Sequence, residues 1–233
     1  MSTLSSIRAR STWRDILEGQ PQHLGLALLL TVGAFAWLTP VDEGARLLWL
    51  TAPQWAKVSI VLALLHQVLV GFVFRAQLHR GLLTRVFGEH DLEIWTKMFL
   101  PLLVARPITL ILTGWADDRT LNIPSWAGWL GGAVLIGIAA WVMHSVFKHF
   151  TIRRAIGGDH FRDEIAAMPM VREGAFKFTS NAIYGVAFLG LWGIALVFGS
   201  WNALVVALFQ HSYIWVHWYC TEKPDMEWLY ENR

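Results

Sequence analysis

The sequence predicts an all-α, polytopic membrane protein with about six transmembrane helices and both termini in the cytoplasm. Three observations lead there. Of the 233 residues, 55% are hydrophobic and only 15% are charged, for a mean hydropathy of +0.43. The apolar residues fall in long blocks instead of short periodic stripes. The basic residues collect between alternate blocks, as they do in a chain that crosses a bilayer repeatedly.

The start of the chain is polar and carries Arg8, Arg10 and Arg14. It lacks the short apolar region and small-residue cleavage site of a signal peptide, so the N-terminus is expected to be retained. The first block, Leu24–Leu38, is the shortest. It reaches the roughly 17–25 residues of a span only if Gln22, His23, Thr39 and Pro40 lie in the interface. The second block is Gln54–Phe74. Residues 75–97 then mix Leu78, Leu82, Leu83, Val86 and Phe87 with Arg and Glu at near-helical spacing, which suits a cytoplasmic amphipathic helix lying on the membrane. Met98–Trp115 and Trp126–Phe147 form the third and fourth blocks. A second cytoplasmic segment, 148–182, is broken into short amphipathic pieces by Gly157-Gly158, Pro169 and Gly174. Ile183–Gly199 and Ala203–Tyr219 complete the set, joined by the uncharged turn FGSWNA. So short a turn makes the last two helices antiparallel neighbours and returns Asn181, Tyr184, Cys220 and Glu222 to one level. With no internal repeat or linker, residues 1–233 read as a single membrane domain.

Orientation follows from the 19 Lys and Arg residues. Fifteen fall on one side: Arg8, Arg10, Arg14, Arg75, Arg80, Arg85, Lys97, Lys148, Arg153, Arg154, Arg162, Arg172, Lys177, Lys223 and Arg233. Arg46, Lys57 and Arg119 lie near the other side, and Arg106 lies within the third block. The crowded side is expected to be the cytoplasm. Trp37, Trp49, Trp55, Trp115, Trp126, Trp129 and Trp201 mark the opposite boundary, where indole rings prefer to sit. The net charge of +2 therefore conceals a topological asymmetry and gives no reason to expect a nucleic-acid partner. A single cysteine, Cys220, excludes an intrachain disulfide and a Cys-based metal cluster.

The stretch GAFKFTSNAIYG, 174–185, resembles the cofactor motif of the membrane-embedded methyltransferases that include phosphatidylethanolamine N-methyltransferase and isoprenylcysteine carboxyl methyltransferase. In that family a Gly-x-aromatic-basic-aromatic run leads to His-Pro-x-Tyr, or Asn-Pro-x-Tyr in the phospholipid branch, then a two-helix hairpin, then Glu-Glu. Here TEKPDMEWLY follows the sixth block. Glu222-Lys223-Pro224 with Leu229-Tyr230 is similar to the Glu-Glu-Pro and Ile-Tyr ending of the phospholipid branch. Ala182 stands where the family has Pro, Gly185 follows Tyr184 directly, and Lys223 replaces the second Glu. The resemblance covers about the last 60 residues, marks 174–231 as a cofactor region, and has no specific counterpart in 1–147. It implies S-adenosylmethionine as cofactor and a membrane lipid as substrate. The first choice is the amine of phosphatidylethanolamine, favoured by Asn181 in place of His; the alternative is an isoprenylcysteine-type carboxylate or a small hydrophobic thiol. The cofactor residues it implies are Lys177, Phe178, Ser180, Asn181, Ala182, Ile183, Tyr184, Gly185, Trp218, Tyr219, Glu222 and Lys223. The expected location is a bacterial inner membrane, with the site facing the cytoplasm.

The residues themselves suit that ligand. S-adenosylmethionine carries two cationic centres, a carboxylate and a flat base, so its pocket needs an acceptor, donors and an apolar slot. Glu222 can supply the first, Ser180, Asn181 and the free amides of the fifth helix the second, and Phe178, Tyr184, Trp218 and Tyr219 the third. An amine acceptor, with a pKa of roughly 10, must also lose a proton, which Glu222 or a neighbouring histidine can accept. Arg106, followed by Pro107 inside an apolar block, is expensive unless it pairs or faces a polar cavity, and is the candidate for gripping a lipid phosphate. Two other classes stay open. His66, His144, His211 and His217 within the blocks admit a b-type haem electron carrier, and Arg106-Pro107 admits a small transporter. Nothing in the sequence specifies an oligomeric state.

Overall fold

The computed structural model describes residues 3–40, 46–117 and 119–230. Arg233, counted above among the cytoplasmic cations, and the end of the 174–231 region lie outside the described residues. The described chain is all-helical, with a single isolated bridge, Leu47 to Leu50, in place of any sheet. Three stretches are long and apolar enough to cross a membrane: Ala52–Arg80, Leu82–Ala116 and Ser125–Phe150. The other apolar helices are shorter, Gln20–Trp37 with 18 residues, Ala182–Phe198, and Trp201–His217 with 17.

In chain order the helices are α1 (Thr3–Arg10), α2 (Trp13–Leu17), α3 (Gln20–Trp37), α4 (Ala52–Arg80), α5 (Leu82–Phe87), α6 (Asp91–Ala116), α7 (Ser125–Ser145), α8 (Ile152–Ala155), α9 (Asp163–Ala166), α10 (Leu189–Phe198), α11 (Trp201–His217) and α12 (Lys223–Tyr230). The segment 75–97 is divided among the end of α4, the short α5 and the start of α6. The break falls at Gly81, whose φ of 60° ends α4 in the left-handed region. His23, expected at an interface, is buried between α3 and α11, with its ring 5.5 Å from Tyr213 and 5.6 Å from His217.

The long helices form a bundle in which α11 packs on α3, α4 and α6, and α10 lies between α7 and α6. Small residues set the closest approach. A Cβ on Gly132 would lie 2.6 Å from the Gly193 carbonyl, and one on Gly193 2.7 Å from the Gly132 carbonyl, so the α7 and α10 backbones touch. Outside these seams the bundle presents Leu24, Leu28, Leu29, Phe72, Leu130 and Val134 on its surface, an apolar exterior suited to lipid. Trp37, Trp49, Trp115, Trp126, Trp129 and Trp201 are exposed as well. The turn between α10 and α11 is held by Asp117, whose carboxylate accepts from the Ser200 hydroxyl at 2.6 Å and from the Asn202 backbone and side chain at 3.2 Å.

Candidate functional site

Among the described residues, three helical segments are wound as π-helix: Val146–Phe150, Ala182–Ala187 and Trp218–Glu222. All three contribute to the wall of one cavity of about 810 Å³ at the basic end of the bundle, through Phe150, Ile183, Tyr184, Trp218 and Glu222. A π-turn loosens the helix and re-aims side chains, and such turns concentrate at functional sites. Phe74 of α4 and residues of the segment 154–181 complete the wall. Two glycines are required there. Gly157 adopts φ 81°, and a Cβ on it would meet the Phe74 ring at 2.2 Å. Gly174 adopts φ 56° and lies against Ser145, whose hydroxyl accepts the Ala175 amide at 3.1 Å and pins the loop to α7.

The two sequence motifs meet in this wall. The Tyr184 hydroxyl donates to Glu222 Oε2. His217 Nε2 stands 3.4 Å from Glu222 Oε1, and neither His217 ring nitrogen has a hydrogen-bond partner among the described residues. Of the residues the sequence singled out, Lys177, Phe178, Ser180, Asn181, Ile183, Tyr184, Trp218 and Glu222 line the cavity. Ala182 lies behind the wall, packed with Val142 and Phe176, and Gly185 faces Trp215. Tyr219 and Lys223 point outward and are exposed. Arg106 lies deeper in the bundle, donating to Gln210 Oε1 at 2.9 Å, and is no part of this cavity. His211 accepts from the Trp192 indole at 3.0 Å while His217 faces His23 and Glu222, so the two do not present a common ligand pair.

Sequence reasoning missed the acidic side of the site. Asp159, His160, Arg154 and Met226 also line the cavity, together with Tyr230 of the Leu229-Tyr230 ending. His160 hydrogen-bonds Asp159 Oδ1 through Nδ1 at 2.9 Å and Asp225 Oδ2 through Nε2 at 3.1 Å. Both ring nitrogens then act as donors, which makes the ring an imidazolium. Burial alone pulls the His160 pKa down, but the two carboxylates outweigh it and raise it to about 10. For Asp225 and Asp159, burial raises the pKa, and the contacts with His160 overcome that and leave both below the usual carboxylate range. Arg75 of α4 also donates to Asp225, and it donates to the Asp15 carbonyl within α2. The Tyr230 hydroxyl donates to Asp159 at 2.8 Å. This network ties α2, α4 and α12 to the cavity wall. The sequence signals for it were Tyr230, part of the Leu229-Tyr230 ending, and Asp225, three residues beyond Glu222, which alone reads as a solvated charge.

The groups on the wall suit S-adenosylmethionine. Acceptors (Glu222, Asp159), donors (Arg154, Lys177, Asn181) and flat apolar faces (Phe150, Phe178, Trp218) share a volume within the range of about 300–1,000 Å³ typical of small-molecule sites. Residues 127–233 match the family model for phospholipid methyltransferase. This region carries the membrane-methyltransferase resemblance read from 174–231, extended toward the N-terminus through α7. Among similar curated proteins are three fungal phosphatidylethanolamine N-methyltransferases. The one from Candida tropicalis is 30% identical over 114 residues, 47% of this chain and 13% of that protein. That from Lodderomyces elongisporus is 29% identical over 117 residues, 49% of this chain and 13% of that protein. That from Arthroderma otae is 27% identical over 188 residues, 74% of this chain and 19% of that protein. The matches thus span less than a fifth of the length of these relatives. Their fungal origin lends no support to a bacterial inner membrane. No solved structure matches the chain.

Proposed function

We propose that this chain, similar over residues 127–233 to phospholipid methyltransferases, transfers a methyl group from S-adenosylmethionine to the amine of phosphatidylethanolamine. The observation that carries the reading is the junction of Tyr184 and Glu222 in the wall of a cavity large enough for the cofactor. The relatives' shared name supports the choice of acceptor.

When bound, the cofactor supplies a methyl group on a positively charged sulfur, open to in-line displacement. The chain's task is to hold the partners and exclude water. A carboxylate offers about four acceptor positions; Glu222 uses one for Tyr184 and turns another toward His217, leaving capacity for the cofactor's ammonium. Lys177 and Asn181, which line the cavity, would hold its carboxylate, and Phe178 and Trp218 would flank its base. The acceptor amine must arrive as a free base, and the Glu222–His217 couple, 3.4 Å apart, takes up the proton it sheds.

In this reading the six apolar helices, α3, α4, α6, α7, 182–198 and α11, cross the membrane with both termini in the cytoplasm, and the cavity opens at the cytoplasmic face. The one-sided distribution of Lys and Arg supports that orientation. The test is transfer of radiolabel from S-adenosylmethionine to vesicles containing phosphatidylethanolamine, run beside a prenylated cysteine and a hydrophobic thiol. Label is expected in the phospholipid fraction; label in neither phosphatidylethanolamine nor its methylated products overturns the reading.

A further inference from the structure

Among the described residues, most of the buried side-chain polar atoms that lack a protein hydrogen-bond partner belong to five residues of one interior seam: His23, His66, Arg106, Tyr213 and His217. The seam starts at Glu222 in the cavity wall and runs inward along α11 through His217 and Tyr213 to Gln210. At its inner end Arg106 is only 3% exposed and forms no ion pair among the described residues. Its Nε donates to Gln210 Oε1 at 2.9 Å, and Phe188 lies over the guanidinium at 5.4 Å, but Nη2 is buried without a partner. Gln210 is fixed in turn, since its amide donates to Ser59 at 3.1 Å, and Ser59 is also bonded to Thr109 at 2.9 Å. The guanidinium is therefore positioned, not merely stranded. Beside it the Tyr213 hydroxyl is buried and unpartnered, as are both ring nitrogens of His66, which lies within electrostatic reach of Arg106. Donors outnumber acceptors here, around a cation whose burial in a bundle is strongly unfavourable unless an anion joins it.

We infer that Arg106 and Tyr213, with His66 beside them, form a binding site for the phosphodiester oxygens of the acceptor lipid, deeper in the bundle than the cofactor cavity. This rests on the lipid-methylating reading above and names the part of the acceptor that is gripped. The order along the seam matches the order of groups in a phospholipid of the cytoplasmic leaflet. The amine is outermost, facing Glu222 and His217; the phosphate is deeper, at Tyr213 and Arg106; the acyl chains continue into the bilayer. Tyr213 precedes His217 by four residues, one turn of the same helix and roughly 6 Å at 1.5 Å per residue. That step is comparable to the reach of an ethanolamine arm from amine to phosphorus.

The test uses the full chain in detergent and reads retention of phosphatidylethanolamine, of diacylglycerol with the same acyl chains, and the effect of added inorganic phosphate. S-adenosylhomocysteine affinity serves as the control for folding. The wild type is expected to retain the phospholipid at least tenfold more tightly than diacylglycerol. Tyr213→Phe removes only a hydroxyl that has no protein partner, so folding survives, and phospholipid binding should weaken about tenfold, the value of a hydrogen bond to a charged group. Arg106→Lys should weaken it further, because a point charge replaces a planar fork, with S-adenosylhomocysteine affinity unchanged in both variants. Equal retention of the two lipids by the wild type, or unchanged phospholipid binding in Tyr213→Phe and Arg106→Lys, overturns the site. Displacement of the lipid by millimolar inorganic phosphate reassigns it to a free anion and overturns the lipid assignment. The two readings fail separately. Phospholipid methylated normally while both variants bind normally sinks only the phosphate site; Arg106-dependent retention with no methylation of any phospholipid sinks only the proposed reaction.

Discussion

Glu222 is only partly covered, with 19% of its side chain exposed, yet it accepts from Tyr184 and faces His217, so its charge is held in a semi-dry wall. Replacing it with Gln keeps the shape and removes the charge. Affinity for S-adenosylhomocysteine is expected to fall by about tenfold to a hundredfold, as for a charge-assisted hydrogen bond of about 1.5–3 kcal/mol. Tyr184→Phe and Asn181→Ala should each cost less, and the Glu222→Gln/Tyr184→Phe pair should be non-additive because the two side chains share one bond. Calorimetric titration of the single and double variants reads all of this; unchanged affinity in Glu222→Gln removes that residue from the site. His160 yields a pH prediction. Its folded pKa, about 10, lies above the ordinary 6.5, so the stability it adds is complete below pH 6.5 and is lost as pH rises toward 10. Asp159 and Asp225 are shifted the other way, so their contribution is complete above about 3.8 and is lost as pH falls through their folded values. The thermal midpoint in detergent should therefore be highest between about pH 4 and 6.5 and decline on the alkaline side. The His160→Gln variant should lose that alkaline slope.

Between elements, two contacts position the cavity. The α7–α10 seam brings the π-wound segment 182–187 under the loop held by Ser145, and it depends on bare backbone at Gly132 and Gly193. Gly193→Leu forces a side chain into the Gly132 carbonyl and should both lower the thermal midpoint and abolish S-adenosylhomocysteine binding. Gly137→Leu, on the same α7 with nothing within 4 Å of its Cβ, should leave both unchanged. Equal effects from the two would show that helix propensity, not close packing, governs the site. The second contact is α12 on α4. Asp225 is fully buried between Arg75 and His160, so Asp225→Asn leaves two cationic groups facing each other. Breaking a buried pair in this way costs about 3–5 kcal/mol. The expected result is a lowered midpoint and protease cleavage near residue 222, checked by limited proteolysis.

For the molecule as a whole, the sharpest prediction is topological. Reporter tags at both ends should be active only in the cytoplasm. A C-terminal reporter active on the far side would make the number of crossings odd and detach the basic end from the cytoplasmic cofactor supply. The short helices α3, 182–198 and α11 have 17–18 residues, close to the lower limit for a bilayer core of about 30 Å. They hold that position through neighbours. α11 is buried on several sides, with Asn202, Gln210, Tyr213 and His217 all inaccessible, and its first turn is anchored by Asp117.

Some of this the sequence determined by itself. Long apolar blocks impose helices, because a lipid-facing backbone must satisfy its own hydrogen bonds. The Lys and Arg asymmetry predicts an orientation, and the short turn at 199–202 forces 182–198 and α11 to lie antiparallel, so Tyr184 and Glu222 had to return to one level. Other features only the tertiary structure decided. Which face of an apolar helix meets lipid and which meets protein is invisible in composition, since both surroundings are apolar; hence His23 turned out buried and Tyr219 and Lys223 outward. The three π-turns shift side-chain phase in a way no 3.6-residue pattern announces, and they decide that Ala182 and Gly185 back the wall while Ile183 and Tyr184 form it. The network of Arg75, Asp159, His160, Asp225 and Tyr230 joins residues 65 to 150 positions apart. Each reads alone as a solvated charge or an interfacial ring; only packing α4, the 157–161 loop and α12 together removes the water and makes them partners.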